Sequence, residues 1–140
     1  MKFITWNCQG AFRKKADIIL VQRPDILVVQ ECEHPDKLVF NPTTQRPNDF
    51  LWFGDNPNKG LGIFSYSDYR FQLLDQHKPN IKIIVPISVT RGQVDFTLFA
   101  IWANNPHDQD GQYVEQIWKA VNQYDQLLSS GLSIDRKSVV

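Results

Sequence analysis

Two stretches decide how this chain reads: Trp6-Asn7-Cys8-Gln9-Gly10 and Pro24-Asp25-Ile26-Leu27-Val28-Val29-Gln30-Glu31. Each is the end of an apolar run that stops at one polar residue, Asn7 in the first and Glu31 in the second. Between them, residues 11–22 put Phe12, Ala16, Ile19 and Leu20 on one side and Arg13, Lys14 and Asp17 on the other, the pattern of an amphipathic helix. Pro24 closes that helix, because the residue before a proline is pushed out of helical geometry. Strand, helix and strand in so short a span form a βαβ-like unit whose crossover makes the strands neighbours. Asn7 and Glu31 are then expected to emerge together at one sheet edge. A carboxylate suits Mg²⁺, which takes oxygen donors and keeps several waters. An amide can hydrogen-bond a neighbouring carboxylate or a phosphate oxygen without adding charge. Taken singly, Asn7 reads as a turn residue and Glu31 as a solvated strand end; the chemistry rests on the pair.

Outward from that unit, the pattern is mostly β. Residues 2–6 and 26–30 read as buried strands, the second apolar on both faces. Residues 35–48 hold Pro35, Pro42 and Pro47 and read as an irregular loop. Further β signals lie at 50–53, at 61–65 and, more weakly, at 69–74. Residues 81–89 alternate, with Ile81, Ile83, Val85, Ile87 and Val89 on one face, and Pro86 within them predicts an edge strand or a bulge. Residues 94–103 are apolar on both faces and read as a central strand. Residues 112–130 are the clearest helix: Tyr113, Val114, Ile117, Trp118, Val121, Tyr124, Leu127 and Leu128 fall on one stripe, with Gly131 placed to end it. Leu132–Ile134 read as the start of another strand.

The chain has 140 residues, enough for one domain with a sizeable core. Its 15 basic and 15 acidic residues balance, which argues against a non-specific polyanion binder and leaves room for an enzyme that holds one phosphate locally. Two cysteines, Cys8 and Cys32, are too few for a disulfide framework. With no secretory signal and no apolar run long enough to span a bilayer, the expectation is a cytoplasmic protein with reduced thiols. Cys8 and Cys32 each follow a proposed site residue, and Glu33 and His34 come next to the second, but the spacing of thiolate zinc ligands is absent and buried free cysteines account for the pair. The cluster Arg13-Lys14-Lys15 reads as a solvated helix face.

Trp6-Asn7-x-x-Gly10, a helix, and Pro24-Asp25-Ile26-Leu27-x-x-Gln30-Glu31 together resemble the N-terminal signature of the endonuclease/exonuclease/phosphatase superfamily. Lys59-Gly60-Leu61-Gly62-Ile63-Phe64-Ser65 resembles that family's next strand, and Trp102-Ala103-Asn104 the strand end that brings a His, Tyr or Asn to the site. The helix at 112–130, with Tyr124-x-x-Leu127-Leu128, is similar to the helix that follows. The resemblance implies that Glu31 is a metal ligand, that Asn7 orients it, contacts the phosphate or shares the metal, and that Asn104 contacts the phosphate. It implies Mg²⁺ as the cofactor, with Mn²⁺ an alternative, and a phosphate ester as the substrate, nucleic acid among the candidates. His107 and Lys59 read as solvated loop residues beside that site.

The family continues into a Gly-Asp-x-Asn motif, whose Asp would activate the attacking water, and a Ser-Asp-His motif near its C-terminus; neither occurs in this sequence. Gly54-Asp55-Asn56 and Ser67-Asp68-Tyr69 look similar but have the wrong spacing or position. The expected fold class is therefore α/β, half of a four-layer α/β-β/α sandwich: one mixed sheet with helices on its outer face. Residues 1–134 are read as the N-terminal part of a single domain, and 135–140 as a non-family tail, either an artefactual end to the reading frame or a genuine degenerate tail. Half a sandwich would leave the inner face around 81–89 and 94–102 open, so self-association through it is expected. The chain alone is expected to be inactive. The alternative is a non-catalytic half-domain that binds a partner chain.

Overall fold

The first unit of the chain, Met1–Phe71, is built around the βαβ element. A computed structural model describes residues 1–75, 77, 84–102 and 113–129, the last range without the side chains of 113–116. Strand β1 (Phe3–Asn7) is followed by helix α1 (Phe12–Leu20) and strand β2 (Ile26–Cys32). β1 and β2 pair in parallel, Phe3 opposite Ile26 through Asn7 opposite Gln30. A short 3₁₀ turn (Pro35–Lys37) interrupts the proline-rich loop, and strands β3 (Asp49–Asn56) and β4 (Lys59–Ser65) form a hairpin. The sheet order is β1-β2-β4-β3, so β2 and β4 are the interior strands. That position explains why Ile26–Gln30 and Gly60–Ser65 are buried on both faces.

Helix α1 covers the face that carries Ile4, Trp6, Leu27, Val29 and Phe64. Phe12 is its anchor, fully buried and stacked on Phe64 with ring centroids 5.3 Å apart. Phe40 and Trp6 meet it edge-on at 5.9 and 6.4 Å. Burying one such ring contributes about 2–3 kcal/mol, and the edge-on contacts add to it.

Sequence alone runs this helix to residue 22, but it ends at Leu20. The amides of Gln22 and Arg23 bond back to Ile19 and Leu20, and Arg23 takes a left-handed conformation (φ 51°) before the buried Pro24. Glycine is the residue that helix ends favour there.

The second unit, Gln72–Val140, has an antiparallel sheet of order β5-β6-β7, its first strand beginning two residues before the unit does. The strands are β5 (Arg70–Leu73), β6 (Ile84–Arg91) and β7 (Val94–Ile101), followed by helices α2 (Tyr113–Gln123) and α3 (Asp125–Ser129). The α/β class stands, with the strands distributed over two hydrogen-bonded sheets, one mixed and one antiparallel.

Two sequence expectations need correction. Pro86 is not on an edge strand: β6 is the middle strand of its sheet, and its register with β7 is unbroken. The Pro86 carbonyl accepts the Leu74 amide (3.2 Å), and a strand residue turns both main-chain groups to the same side. The missing amide therefore faces the side where β5 ends, and the β6–β7 ladder loses nothing.

The apolar stripe of the last helix is only partly buried. Ala120, Tyr124 and Leu127 pack with Ile84 and Phe99, and Ile117 and Leu128 flank them. Trp118 is 67 % exposed and Val121 45 %, because the stripe is wider than the face it covers. The helix also breaks once, at Tyr124, whose amide bonds to the Ala120 carbonyl and whose carbonyl accepts the Leu128 amide.

Val85, Ile87, Val89, Phe96, Leu98 and Ala100 lie on the β6–β7 face away from these helices, and each is buried. Residues 81–83 and 132–134 lie outside the described residues. Among the described residues no helix is long and apolar enough to cross a membrane.

Replacing Arg23 with glycine removes the left-handed strain at the end of α1. The Arg23→Gly chain is expected to be more stable by about 0.5–1 kcal/mol, read as a higher urea midpoint at unchanged slope.

Candidate functional site

Parallel pairing sets Asn7 opposite Gln30, on the sheet face of Phe3 and Thr5. Strict alternation along β2 would then send Glu31 to the other face, with Leu27 and Val29 under α1. The chain avoids this with a bulge. Gln30 pairs with Leu61 and Cys32 with Gly60, leaving Glu31 as the extra residue, in a left-handed conformation (φ 59°). A non-glycine residue in that conformation costs about 1–2 kcal/mol. The bulge re-aims the carboxylate, and the Asn7 Nδ2–H donates to Glu31 Oε1 at 3.4 Å. The two residues singled out in the sequence are brought together as expected.

The bulge is braced from below. The Trp52 indole N–H donates to the Cys32 carbonyl (3.0 Å), and the Cys8 thiol to the Glu31 carbonyl (3.4 Å). The Cys8 amide bonds to the Gln30 carbonyl at 3.1 Å. Gly60 makes room for the indole: a Cβ there would sit 2.3 Å from Trp52 Cζ2. Burial pushes both cysteine thiols above their ordinary value, which leaves them as packing groups.

On the Asn7 side, Gln9, Gly10 and Ala11 all have positive φ. Asn7 Oδ1 accepts the Gln9 amide (3.0 Å), and Lys15 Nζ donates to the Cys8 carbonyl (2.6 Å). Ala11 occupies the cap position of α1 and has no side chain to cap it. Glu33 supplies the cap from across the fold. Its carboxylate accepts the Phe12 and Arg13 amides, each at 2.9 Å, and the Arg13 guanidinium at 3.3 Å. Glu33 is only 2 % exposed.

Sequence reasoning missed this carboxylate and misread its partners. Arg13 and Lys15 are engaged in the fold, and only Lys14 of the basic cluster is exposed. The signal was an alanine where α1 needs a capping side chain, which obliges some other group to serve.

As a donor set, the pair offers one carboxylate and one amide. Among the described residues no other group bonds the Glu31 side chain, so Oε2 is open. Among them there is also no group of three or more His, Cys, Asp or Glu that could hold a metal. One carboxylate with an amide beside it fits a hexacoordinate Mg²⁺ that keeps most of its waters, and does not fit zinc. Asn104 and His107 lie outside the described residues. His34, partly exposed, accepts the Asp36 amide (3.2 Å) and meets Trp52 edge-on, which occupies it structurally.

Burial pushes the Glu33 carboxyl up, but the Arg13 and Phe12 amides and the Arg13 guanidinium outweigh it and hold it below its ordinary value. A carboxyl lowered on folding contributes stability above its unfolded value and loses it as pH falls through its folded value. The wild-type chain is expected to lose stability on that acid limb. Glu33→Gln is expected to be less stable at neutral pH and flatter on acidification, measured as urea midpoints from neutral to strongly acid pH.

No family model matches the sequence, and no curated protein matches it. Solved structures do match. The 3′ phosphatase NExo from Neisseria bound to a product DNA hairpin has a TM-score of 0.57 at 21 % identity, over 94 % of this chain and 54 % of that one. The AP endonuclease LMAP from Leishmania major has a TM-score of 0.55 at 14 % identity, over 94 % and 51 %. Truncated TDP2 from Caenorhabditis elegans has a TM-score of 0.57 at 13 % identity, over 86 % and 49 %. The chain therefore spans about half the length of these structures. Such likeness shows the fold: this chain has the α/β fold of the endonuclease/exonuclease/phosphatase type, over about half its extent.

Proposed function

We propose that this chain carries the metal-carboxylate half of a divalent-metal-dependent phosphoesterase site. The observation that carries the reading is the bulge at Glu31, a strained turn that brings its carboxylate to Asn7 with one oxygen open. Backbone strain of this kind is kept where a side chain must be aimed. Glu31 would hold Mg²⁺, with Mn²⁺ as a substitute. When bound, the ion supplies positive charge that polarises a phosphoryl oxygen.

Asn7 is held at both ends of its amide, by Glu31 and by the Gln9 amide, which fits an orienting role. Ligation of the metal by Asn7 would use the remaining lone pair of Oδ1. Asn104, outside the described residues, would contact the phosphate.

The substrate class is a phosphate ester. Similarity to a phosphatase bound to a DNA hairpin and to an AP endonuclease supports a nucleic-acid phosphate over a lipid one. The balanced charge of the chain leaves phosphate recognition to the site itself. The groups that activate water and complete the site are not among the motifs of this sequence, so turnover by the chain alone is expected to be negligible. A second reading, a non-catalytic half-domain that pairs with another chain, draws on the exposed Trp118 and Val121 of α2.

Titration with Mg²⁺ and with Mn²⁺ tests the reading. The wild-type chain is expected to bind either ion weakly at one site, Glu31→Ala to lose that binding, and Asn7→Ala to weaken it. Equal binding by wild type and Glu31→Ala would end the phosphoesterase reading and leave the half-domain one.

A further inference from the structure

We propose that Glu33 is the positioning residue of the Asn7–Glu31 pair: the helix start it holds fixes the loop through which Asn7 reaches Glu31. This rests on the reading of Glu31 as the metal carboxylate.

The direct contact between the two site residues is one bond of 3.4 Å, between an exposed side chain and a partly exposed one. A bond at that end of the range, in water, does not set its own geometry. The backbone on each side must do so. On the Glu31 side the bulge is pinned by Trp52 and by the ladder to β4. On the Asn7 side the chain leaves β1 through three consecutive left-handed residues, two of which carry side chains. Such a run persists only where both of its ends are held.

The near end is held to β2 by the Cys8 amide on the Gln30 carbonyl. The far end is held by Glu33, whose two oxygens take the Phe12 and Arg13 amides. Glu33 sits two residues beyond Glu31 on the same chain segment. One buried carboxylate thus ties the exit of the Asn7 loop back to the segment that presents the metal carboxylate. Helix α1 has no substitute, because Ala11 offers no side-chain bond. Metal-site residues that orient a ligand from behind act in this way, and their loss shows in affinity as well as in stability.

The test uses the full chain in an Arg23→Gly background, a substitution at the opposite end of α1 that adds stability. Three variants are made in it: Glu33→Gln, Glu33→Asp and, as a destabilised control in the second unit, Leu127→Ala. Two signals are read: the side-chain amide resonances of Asn7 without metal, and the Mn²⁺ affinity from water-proton relaxation. Glu33→Gln is expected to move the Asn7 resonances toward those of a solvent-exposed asparagine and to weaken Mn²⁺ binding about tenfold. Glu33→Asp keeps the charge but shortens the reach, and is expected to shift both signals the same way by less; it decides the matter where Glu33→Gln does not fold. Leu127→Ala is expected to lose stability and leave both signals in place. Wild-type signals in the Glu33 variants, or an equal shift in Leu127→Ala, would overturn the proposal. If the parent binds no Mn²⁺, the metal reading fails, and the Asn7 resonances still decide the positioning role.

Discussion

A single buried carboxylate joins the start of α1 to the end of β2, and the local geometry of the candidate site follows from that connection. Glu33 accepts two main-chain amides and one guanidinium nitrogen in a setting with almost no solvent exposure. Charge-assisted bonds of this kind are short and roughly twice as strong as neutral ones, and a low local dielectric strengthens them further. The same setting makes their loss costly, since amides at a helix start have no other partner. The positive end of the α1 dipole adds to the attraction. A helix whose own sequence leaves its first turn uncapped is thereby fixed to the strand it must accompany.

The second constraint is stereochemical. A β-strand sends successive side chains to opposite faces, so a strand that buries Leu27 and Val29 under a helix would bury Glu31 there as well. Burying an unpaired carboxylate among Phe12, Phe64 and Trp6 would be far more costly than one residue of left-handed strain. The bulge takes the cheaper course and sets the carboxylate beside Asn7. Around it, Gly60, Trp52 and Cys32 form a small supporting cluster in which the absence of one Cβ lets an indole reach a carbonyl. Packing of the core and aim of the site are solved by the same few residues.

Much of the fold was legible in the residues. The buried interior strand at Ile26–Gln30, the helix spacing of Phe12, Ala16 and Ile19, and the β signals at 50–53 and 61–65 all follow from patterns that burial imposes on sequence. Periodicity was less reliable where a stripe was wider than the surface it met, as with Trp118 and Val121. It also failed at Pro86, because which side of a strand lacks a neighbour is a property of the sheet. The split of the strands into two hydrogen-bonded sheets was likewise beyond it.

By itself the sequence determined that Asn7 and Glu31 terminate neighbouring strands, because apolar runs, a helical crossover and a proline leave few other arrangements. It did not determine that they face each other. That depended on a bulge at one residue, and nothing in the local sequence marks Glu31 as left-handed, since it is not a glycine. Nor did it show that Glu33 caps α1, a contact between residues 20 or more positions apart. Side-chain period is a local property and can be read in a line of residues. Bulges and long-range caps are compromises among several packed elements, and exist only once those elements have met.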